Sequence, residues 1–404
     1  MPTPHMQPPP RKIVTSAADL AINGAIPMFP EPLHVGRPNI GSKGAFLAAA
    51  SAMLDRGWLS NNGPLVQSLE KRICDYLGVR HCVAMCNGTI ALEIATRALG
   101  LKGEVIVPSY TFVATAHALQ WQEITPIFAD IDPATENLDP AAVERMITPR
   151  TSGIIGVHLW GRPAPISALQ SLADKHGLPL MFDASHGFGC TSGGKRLGGF
   201  GECEVFSFHA TKFFNTFEGG AVVTNRDDLA EKMRLMRNFG FVAYDEVIYP
   251  GTNGKMTEVA AAMGLINFDS INTFIEVNRA NYMRYREGLR DIPHLSLIEY
   301  NESEENNYQY VVLDVGAEFP VSRDRLIEVL HAEGVLARRY FWPGVHNMEP
   351  YRSHYPHAGL VLPRTATVAN AVLVLPTGST IGEMHIDGVC SVLRALWGAT
   401  AIEM

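Results

Sequence analysis

The chain has 404 residues, which exceeds one small module and indicates two or three domains. Hydrophobic residues make up 47% and charged residues 18%, so wholesale disorder and a fibrous repeat are excluded. With 33 basic against 41 acidic residues, the net charge of -8 creates no positive field that would attract nucleic acid or an anionic membrane. An anionic ligand therefore has to be bound locally.

The cysteines, histidines and apolar runs give no sign of a metal site or a membrane segment. The six cysteines lack C-x-x-C spacing and the histidines lack ligand spacing, so we expect reduced thiols and no metal. No apolar run reaches the roughly 18 to 20 residues that cross a bilayer. The N-terminus also lacks the apolar core of a signal peptide. These patterns favour a cytoplasmic enzyme that binds neither nucleic acid nor membrane.

The first predicted elements follow a proline-rich lead-in. Residues 1–34 have no periodic pattern and are expected to form an N-terminal arm without catalytic residues. Apolar spacing then predicts helices over 43–56 and 65–77. A rhythm of short apolar strands and helices begins next. The strands are expected at 81–85, 104–108, 126–131, 153–159, 179–183, 204–208 and 221–224, with helices at 89–99, 111–120, 141–147 and 166–176.

This rhythm predicts an α/β fold with a mainly parallel sheet covered by helices on both faces. After residue 263 the pattern changes to a smaller α+β unit. We therefore place a large domain at 35–270 and a small C-terminal domain at 271–404. In the small domain we expect a long polar helix at 272–289, a strand at 308–313, and helices at 323–333 and 386–396.

Two nucleotide-binding patterns are not fulfilled. Residues 189–195 match Gly-x-x-x-x-Gly-Lys, but Arg196 stands where a P-loop has Ser or Thr for magnesium. No G-x-G-x-x-G connects a strand to a helix, so a nicotinamide enzyme of the doubly wound kind is a poor alternative.

A first candidate site lies between the strand at 81–85 and the following helix. Gly88 allows a close backbone turn, and the unpaired amides at the start of that helix favour a phosphate at Gly88 and Thr89. The alternative is a simple helix cap by Asn87 or Thr89.

Asp183 ends a hydrophobic strand and forms a second candidate site. The carboxyl end of a parallel strand lies on the ligand-binding rim of such a sheet, where a carboxylate would pair with a cation. The alternative is a helix cap or a loop carboxylate that faces water.

Lys212 is a third candidate. Phe213, Phe214 and Phe217 follow it, and these rings would desolvate the amine and lower its pKa toward the nucleophilic range. The alternative is a surface lysine beside buried phenylalanines.

A phosphate pocket, a strand-end aspartate and a shielded lysine are together what pyridoxal 5'-phosphate requires. The lysine would bind the cofactor as a Schiff base, the aspartate would keep the pyridine nitrogen protonated, and the helix terminus would hold the phosphate.

With these residues in place, the chain resembles the DegT/DnrJ/EryC1/StrS sugar aminotransferases, which are fold type I pyridoxal-phosphate enzymes. The resemblance runs from about residue 34 to the C-terminus. Five ordered segments carry it: CNGTIAL at 86–92, VPSYTFVATAHAL at 107–119, FDASHGFG at 182–189, FSFHATKFFNTFEGG at 206–220 and GTNGKMTEVAAAMG at 251–264.

The resemblance implies a role for each candidate. Lys212 and Asp183 would be catalytic, as the Schiff-base lysine and the partner of the pyridine nitrogen, and Ser207 would help Gly88 and Thr89 to hold the phosphate. Three further residues would complete the cofactor site. Phe112 would stack on the ring, His186 would lie beside the 3-hydroxyl, and Asn253 would reach the phosphate of a neighbouring subunit.

The last of these roles implies a homodimer with shared active sites. For Phe112, His186 and Asn253 the alternatives are a core phenylalanine, a turn histidine and a turn asparagine.

The resemblance also implies the reaction. An amino donor, L-glutamate in relatives, would convert the cofactor to its amine form, and a keto sugar would then receive the amine. The HATK-x-F-N-x-x-EGG form favours a dTDP-4-keto-6-deoxyhexose. A 3-keto nucleotide sugar, a cyclitol ketone and a non-catalytic ligand-binding regulator remain alternatives. Arg338, Arg339, Tyr340 and His346 are candidate contacts to the sugar or its diphosphate, or else form a solvated basic turn.

Overall fold

The structure, a computed structural model, describes residues 12–398. The predicted arm at 1–34 is therefore described from residue 12 onward, and residues 1–11 and 399–404 lie outside the described range. The α-helices are α1 (Lys43–Arg56), α2 (Pro64–Leu77), α3 (Gly88–Ala98), α4 (Ala114–Gln120), α5 (Pro140–Met146), α6 (Ile166–His176), α7 (Asp227–Met236), α8 (Glu258–Asp269), α9 (Ile271–Leu289), α10 (Arg323–Ala332), α11 (Tyr351–His354), α12 (Pro363–Ala371) and α13 (Glu383–Trp397).

The strands are short and most of them are buried. In chain order they are β1 (Leu33–His34), β2 (His81–Met85), β3 (Glu104–Pro108), β4 (Thr125–Ala129), β5 (Thr151–Val157), β6 (Leu180–Asp183), β7 (Thr191–Ser192), β8 (Lys195–Arg196), β9 (Glu204–Ser207), β10 (Gly220–Thr224), β11 (Phe241–Ala243), β12 (Glu246–Val247), β13 (Leu295–Leu297), β14 (Val311–Val315), β15 (Val335–Leu336) and β16 (Val372–Leu375).

A seven-stranded sheet forms the centre of the molecule, in the order β2-β10-β9-β6-β5-β3-β4. Strand β10 runs antiparallel to both neighbours, while the other pairs are parallel. The predicted α/β fold with a mixed, mainly parallel sheet is confirmed.

Successive side chains of a strand point to opposite faces of the sheet, and here the side chains on both faces are apolar, so helices cover both faces of the central sheet. In β2, Val83 and Met85 face a cluster that includes residues of α3, α4 and α7, whereas Cys82 and Ala84 face a cluster with residues of α2 and α8.

A smaller unit follows the central sheet. Strands β13, β14 and β16 form an antiparallel sheet, and α9, α10 and α13 contribute to its core. The described part of the arm packs on the same core through Val14, Ala17, Leu20 and Leu33, and β1 pairs in parallel with β15. The boundary that we propose near residue 270 falls at Ser270, between α8 and α9.

Two predicted elements begin three residues later than expected. The helix predicted from residue 111 starts at Ala114, because the backbone of 112–116 first makes turn-type bonds from Thr115 and Ala116 to the carbonyls three residues before them. The strand predicted from residue 308 starts at Val311, since Tyr308 has a left-handed φ of 48° that a strand cannot hold. Both shifts place irregular backbone near the site described below.

Candidate active site

A cavity of about 450 Å³ opens where β6 and β9 end and α3 begins. Its position at the carboxyl ends of parallel strands is where open α/β sheets bind ligands. Seven of the eight predicted site residues line this cavity, whereas Asn253 lies outside it. The seven are Gly88, Thr89, Phe112, Asp183, His186, Ser207 and Lys212.

The start of α3 forms one end of the cavity. The Asn87 side chain caps the helix by accepting from the amide of Ile90 at 2.8 Å, whereas the amides of Gly88 and Thr89 lie in the first turn and have no intrahelical partner. A Cβ atom at Gly88 would stand 3.0 Å from the Cβ of Ser207, which makes glycine the residue that fits. Free amides at a helix N-terminus beside a serine hydroxyl suit an anion.

Asp183 is held in a fixed orientation at the end of β6. It is 5% exposed, and its carboxylate accepts from the Thr115 hydroxyl at 2.8 Å and from the Ser185 amide at 3.1 Å. The Ser185 bond forms because the chain turns immediately after the strand. A buried, oriented carboxylate of this kind stabilises a cationic nitrogen placed before it.

Lys212 lies in the turn after β9, where its amide donates to the carbonyl of His209 at 2.8 Å. Burial lowers the pKa of its amine from 10.5 to about 8, while the negative charge of Asp183 and the phenol of Tyr340 oppose that shift. A lysine with this pKa carries a substantial fraction of neutral, nucleophilic amine near neutral pH.

The three phenylalanines after Lys212 do not line the cavity, which corrects the sequence interpretation that placed them around its amine. Phe213 and Phe214 are buried in the core behind the cavity, and Phe217 is 42% exposed with its ring against Phe46. The rings that line the cavity come from elsewhere in the chain. They belong to Phe112, Tyr310, Tyr340 and Phe341.

Phe112 and His186 occupy opposite environments within the site. Phe112 is 56% exposed, so it is not the core residue considered as its alternative, and its ring meets Phe341 edge-on at 6.4 Å. His186 is buried, and its Nδ1 accepts from the Trp160 amide at 3.2 Å. Burial and the nearby Lys212 amine lower the pKa of His186 well below 6.5, so its imidazole is neutral.

The remaining candidate residues lie in different parts of the structure. Asn253 is exposed in the segment after the hairpin of β11 and β12, and it forms a bridge with Asn238. Of the candidates Arg338, Arg339, Tyr340 and His346, Tyr340 lines the cavity. Arg339 pairs with the Asp324 carboxylate at 3.3 Å, and buried His346 bonds the Ser109 hydroxyl at 2.7 Å.

Sequence reasoning missed several residues of the site. Tyr310 and Phe341 lie in none of the five segments, because only the tertiary fold brings them to this cavity, whereas Thr115, which bonds Asp183, lies inside the segment 107–119. His209 and Glu218 stand at the cavity wall with 3.3 Å between Nε2 and Oε1. Both lie inside the segment 206–220, so their place in that segment was an available signal.

The fold and this lysine-containing cavity define an aminotransferase. Residues 42–394 match the model of the DegT/DnrJ/EryC1/StrS aminotransferase family, and the chain belongs to that family. The family and the fold are those of pyridoxal-phosphate-dependent aminotransferases. The expected family and enzyme class are thereby confirmed.

Three proteins illustrate what this chain is similar to. A dTDP-4-amino-4,6-dideoxy-D-glucose transaminase of Shigella dysenteriae is 37% identical over 368 residues, which cover 91% of this chain and 99% of that protein. A GDP-perosamine synthase of Caulobacter vibrioides is 35% identical over 84% of this chain and 92% of its own length. The crystal structure of DesI with its TDP-sugar product has a TM-score of 0.91 and 49% identity, and it covers 95% of this chain and 98% of DesI.

Within residues 12–398, none of the helices is both long enough and apolar enough to span a membrane.

Proposed function

We propose that this protein transfers an amino group to a nucleotide-linked keto sugar, most specifically a dTDP-4-keto-6-deoxyhexose, with L-glutamate as donor and pyridoxal 5'-phosphate as cofactor. One observation carries the proposal. The Lys212 amine, the Asp183 carboxylate and the start of α3 line a single cavity. The similarity to DesI and to a dTDP-sugar transaminase supports a nucleotide sugar with its keto group at carbon 4.

The residues present fit this cofactor. Gly88 and Thr89 offer free amides to a phosphate, and Ser207 lies beside them, so close that a Cβ atom at position 88 would stand 3.0 Å from its Cβ. The orientation of Asp183 toward a cation agrees with a protonated pyridine nitrogen. When bound, pyridoxal phosphate supplies a carbonyl that condenses with amines and a ring that accepts electrons.

In this proposal the protein orients the reactants and moves one proton. Lys212 would hold the cofactor, and its neutral Nζ would take a proton from the Cα of the bound donor and carry it within the cavity. Asp183 would face the ring nitrogen of the cofactor and favour electron flow into the ring. In the second half-reaction the same Nζ would move a proton in the opposite direction. The cavity wall of Tyr310, Tyr340 and Phe341 limits the access of water.

We further propose a homodimer in which each subunit completes the other's site. Exposed apolar side chains cluster on α1 with its following loop and on the β11–β12 hairpin, and such patches mark interaction surfaces. They include Leu47, Leu54, Trp58, Leu59, Val242, Tyr244, Val247 and Ile248.

The segment that follows the hairpin is anchored beside the proposed phosphate site. The Cys86 amide donates to the carbonyl of Gly254 at 2.9 Å, and Met85 pairs with Lys255. Asn253 is therefore exposed on the surface next to the start of α3, and it does not line the cavity of its own chain. This placement supports a role for Asn253 in the site of a second copy.

A panel of acceptors tests the proposed function. The purified protein, supplied with pyridoxal phosphate and L-glutamate, is given dTDP-4-keto-6-deoxyglucose, the GDP-linked analogue, a 3-keto nucleotide sugar and a free cyclitol ketone, and mass spectrometry detects the amino product. We expect the dTDP-4-keto sugar to be converted fastest and Lys212→Ala to be inactive. Conversion of the cyclitol alone would favour that alternative, and no reaction with any donor or acceptor would favour a regulator.

A further inference from the structure

The turn after β5 packs directly against His186. This 3₁₀ turn, Leu159–Gly161, holds Trp160 fully buried with a left-handed φ of 60°, an uncommon conformation for a large side chain. A Cβ atom at Gly161 would lie 2.9 Å from the carbonyl of His186, so the two turns touch at backbone level. The position of Trp160 and the position of His186 are therefore coupled.

Trp160 contacts the His186 ring in two ways. Its backbone amide donates to Nδ1 at 3.2 Å, and its indole lies nearly parallel to the imidazole, with 5.9 Å between ring centroids and 15° between planes. A neutral imidazole whose Nδ1 accepts a hydrogen bond carries its proton on Nε2. The Trp160 amide thus selects the tautomer in which Nε2 is a donor.

Glu136 holds the other edge of Trp160. Its carboxylate is 5% exposed and accepts from the indole Nε1 at 2.5 Å. The next residue, Asn137, braces the same turn, because its side-chain oxygen accepts from the Leu159 amide at 3.2 Å. Two consecutive side chains therefore fix the turn that contacts His186.

The surroundings of Glu136 contain few charges. Burial raises the pKa of its carboxyl to about 7, with a smaller effect in the same direction from Asp314, while Trp160 and Arg162 oppose the rise. Arg323 also lines the groove that Glu136 and Asp314 share. All three charged groups affect the pKa of the Tyr110 phenol.

We propose that Glu136 is a positioning residue of the active site: through Trp160 it holds His186, which lines the cavity, as the neutral Nε2–H tautomer. The inference rests on the proposed function only in assigning the cofactor to that cavity. The contacts among Glu136, Trp160 and His186 exist in the chain alone, and they are measurable without cofactor.

The tautomer itself is the decisive readout. Protein labelled with ¹⁵N-histidine is compared as wild type, Glu136→Leu and Glu136→Gln, with the His186 signals assigned through their loss in His186→Gln. We expect an unprotonated Nδ1 and a protonated Nε2 in the wild type, a mixture of tautomers in Glu136→Leu, and recovery in Glu136→Gln, which keeps an acceptor for the indole. Pyridoxal phosphate affinity should fall about fivefold in Glu136→Leu.

Trp160→Phe is the second variant, used if Glu136→Leu does not fold. It removes the indole donor and keeps a ring, so it should produce the same mixture, and adding Glu136→Leu to it should change nothing further. Asp314→Asn is the matched control. Asp314 lines the same groove but does not bond Trp160. Because its charge raises the pKa of Glu136, Asp314→Asn should lower the pH at which the Trp160 indole N–H signal is half changed. The same substitution should leave the His186 tautomer unchanged.

An unchanged His186 tautomer in folded Glu136→Leu or Trp160→Phe would overturn the inference. Failure of the wild-type protein to bind pyridoxal phosphate would instead contradict the proposed function, because the tautomer measurement uses protein without cofactor.

Discussion

The hydroxyl of Thr115 donates a 2.8 Å hydrogen bond to the Asp183 carboxylate, and both side chains are buried. The bond joins the first turn of α4 to the end of β6. Thr111 extends the same network, since its hydroxyl lies 3.1 Å from that of Thr115. The sequence analysis identified Asp183 alone, whereas the structure shows a buried hydrogen-bonded network of Asp183, Thr115 and Thr111.

Substitutions in this group should impair catalysis in a graded way. Asp183→Asn removes the charge opposite the cofactor and should lower kcat/KM on the order of 10²- to 10³-fold. Thr115→Val removes one hydrogen bond to a charged group and should cost about tenfold. Steady-state kinetics with the amino acceptor identified above measures both effects.

Thr96→Val is the matched control. Thr96 is a buried threonine in α3 whose hydroxyl has no hydrogen-bond partner within the described residues, so its removal should leave kcat/KM within about twofold. An equal loss in Thr96→Val and Thr115→Val would show that the Thr115 bond has no specific role.

Chemical modification should reveal the lowered pKa of Lys212. In protein freed of cofactor, acylation of Lys212 should reach half its maximal rate at about pH 8, because the neutral amine is the reactive form. Asp183→Asn should move this midpoint to lower pH, since the carboxylate favours the ammonium form. Mass spectrometry of the digest, with exposed Lys195 as a reference in the same sample, follows both. A midpoint that rises in Asp183→Asn would contradict the assignment.

Glu136 should make stability depend on pH. Its folded-state pKa of about 7 lies above the ordinary 4.5, so its favourable contribution is complete below pH 4.5 and is lost as pH rises through 7. The total change is on the order of 3 kcal/mol. The free energy of unfolding of the wild type, measured in urea, should therefore fall relative to that of Glu136→Gln between pH 5 and 8.5. Parallel curves for the two proteins would contradict this prediction.

Glu333 should anchor the N-terminal arm. Its fully buried carboxylate accepts from the Lys12 amine at 2.8 Å and from the amides of Ala21 and Met28 at 2.7 Å each. Glu333→Ala leaves these donors unpaired and should destabilise the protein by about 3 to 5 kcal/mol, with faster proteolysis of 12–34. Glu328→Ala, which breaks an exposed pair with Arg325, should cost less than about 1 kcal/mol. Equal losses would refute the anchoring role.

Hybrid dimers should test the proposed sharing of sites. Lys212→Ala should be inactive and Asn253→Ala impaired, because each homodimer carries the same defect in both sites. Unfolding and refolding the two variants together should restore part of the activity, since a mixed dimer then contains one site with both residues intact. Activity that never exceeds the sum of the separate variants would place Asn253 and Lys212 in the same chain's site.

The sequence predicted the local elements well where one periodicity dominated. The bounds of α1, β2, β3 and α6 coincide with the predicted ranges. The predicted bounds were wrong where irregular backbone interrupts the local pattern. Turn bonds precede the start of α4, and Tyr308 with its left-handed φ precedes the start of β14.

By itself the sequence determined the sheet strands and the polar residues at their ends, because strand patterning and turn chemistry act over a few neighbours. Asp183, Gly88 and Lys212 were visible for that reason. The tertiary structure alone decided what surrounds them. Thr115 beside Asp183, Tyr340 rather than Phe217 beside Lys212, and Glu136 behind Trp160 and His186 are contacts between segments far apart in the chain. Burial sets the pKa values of Lys212 and Glu136, and burial is a property of the packed molecule.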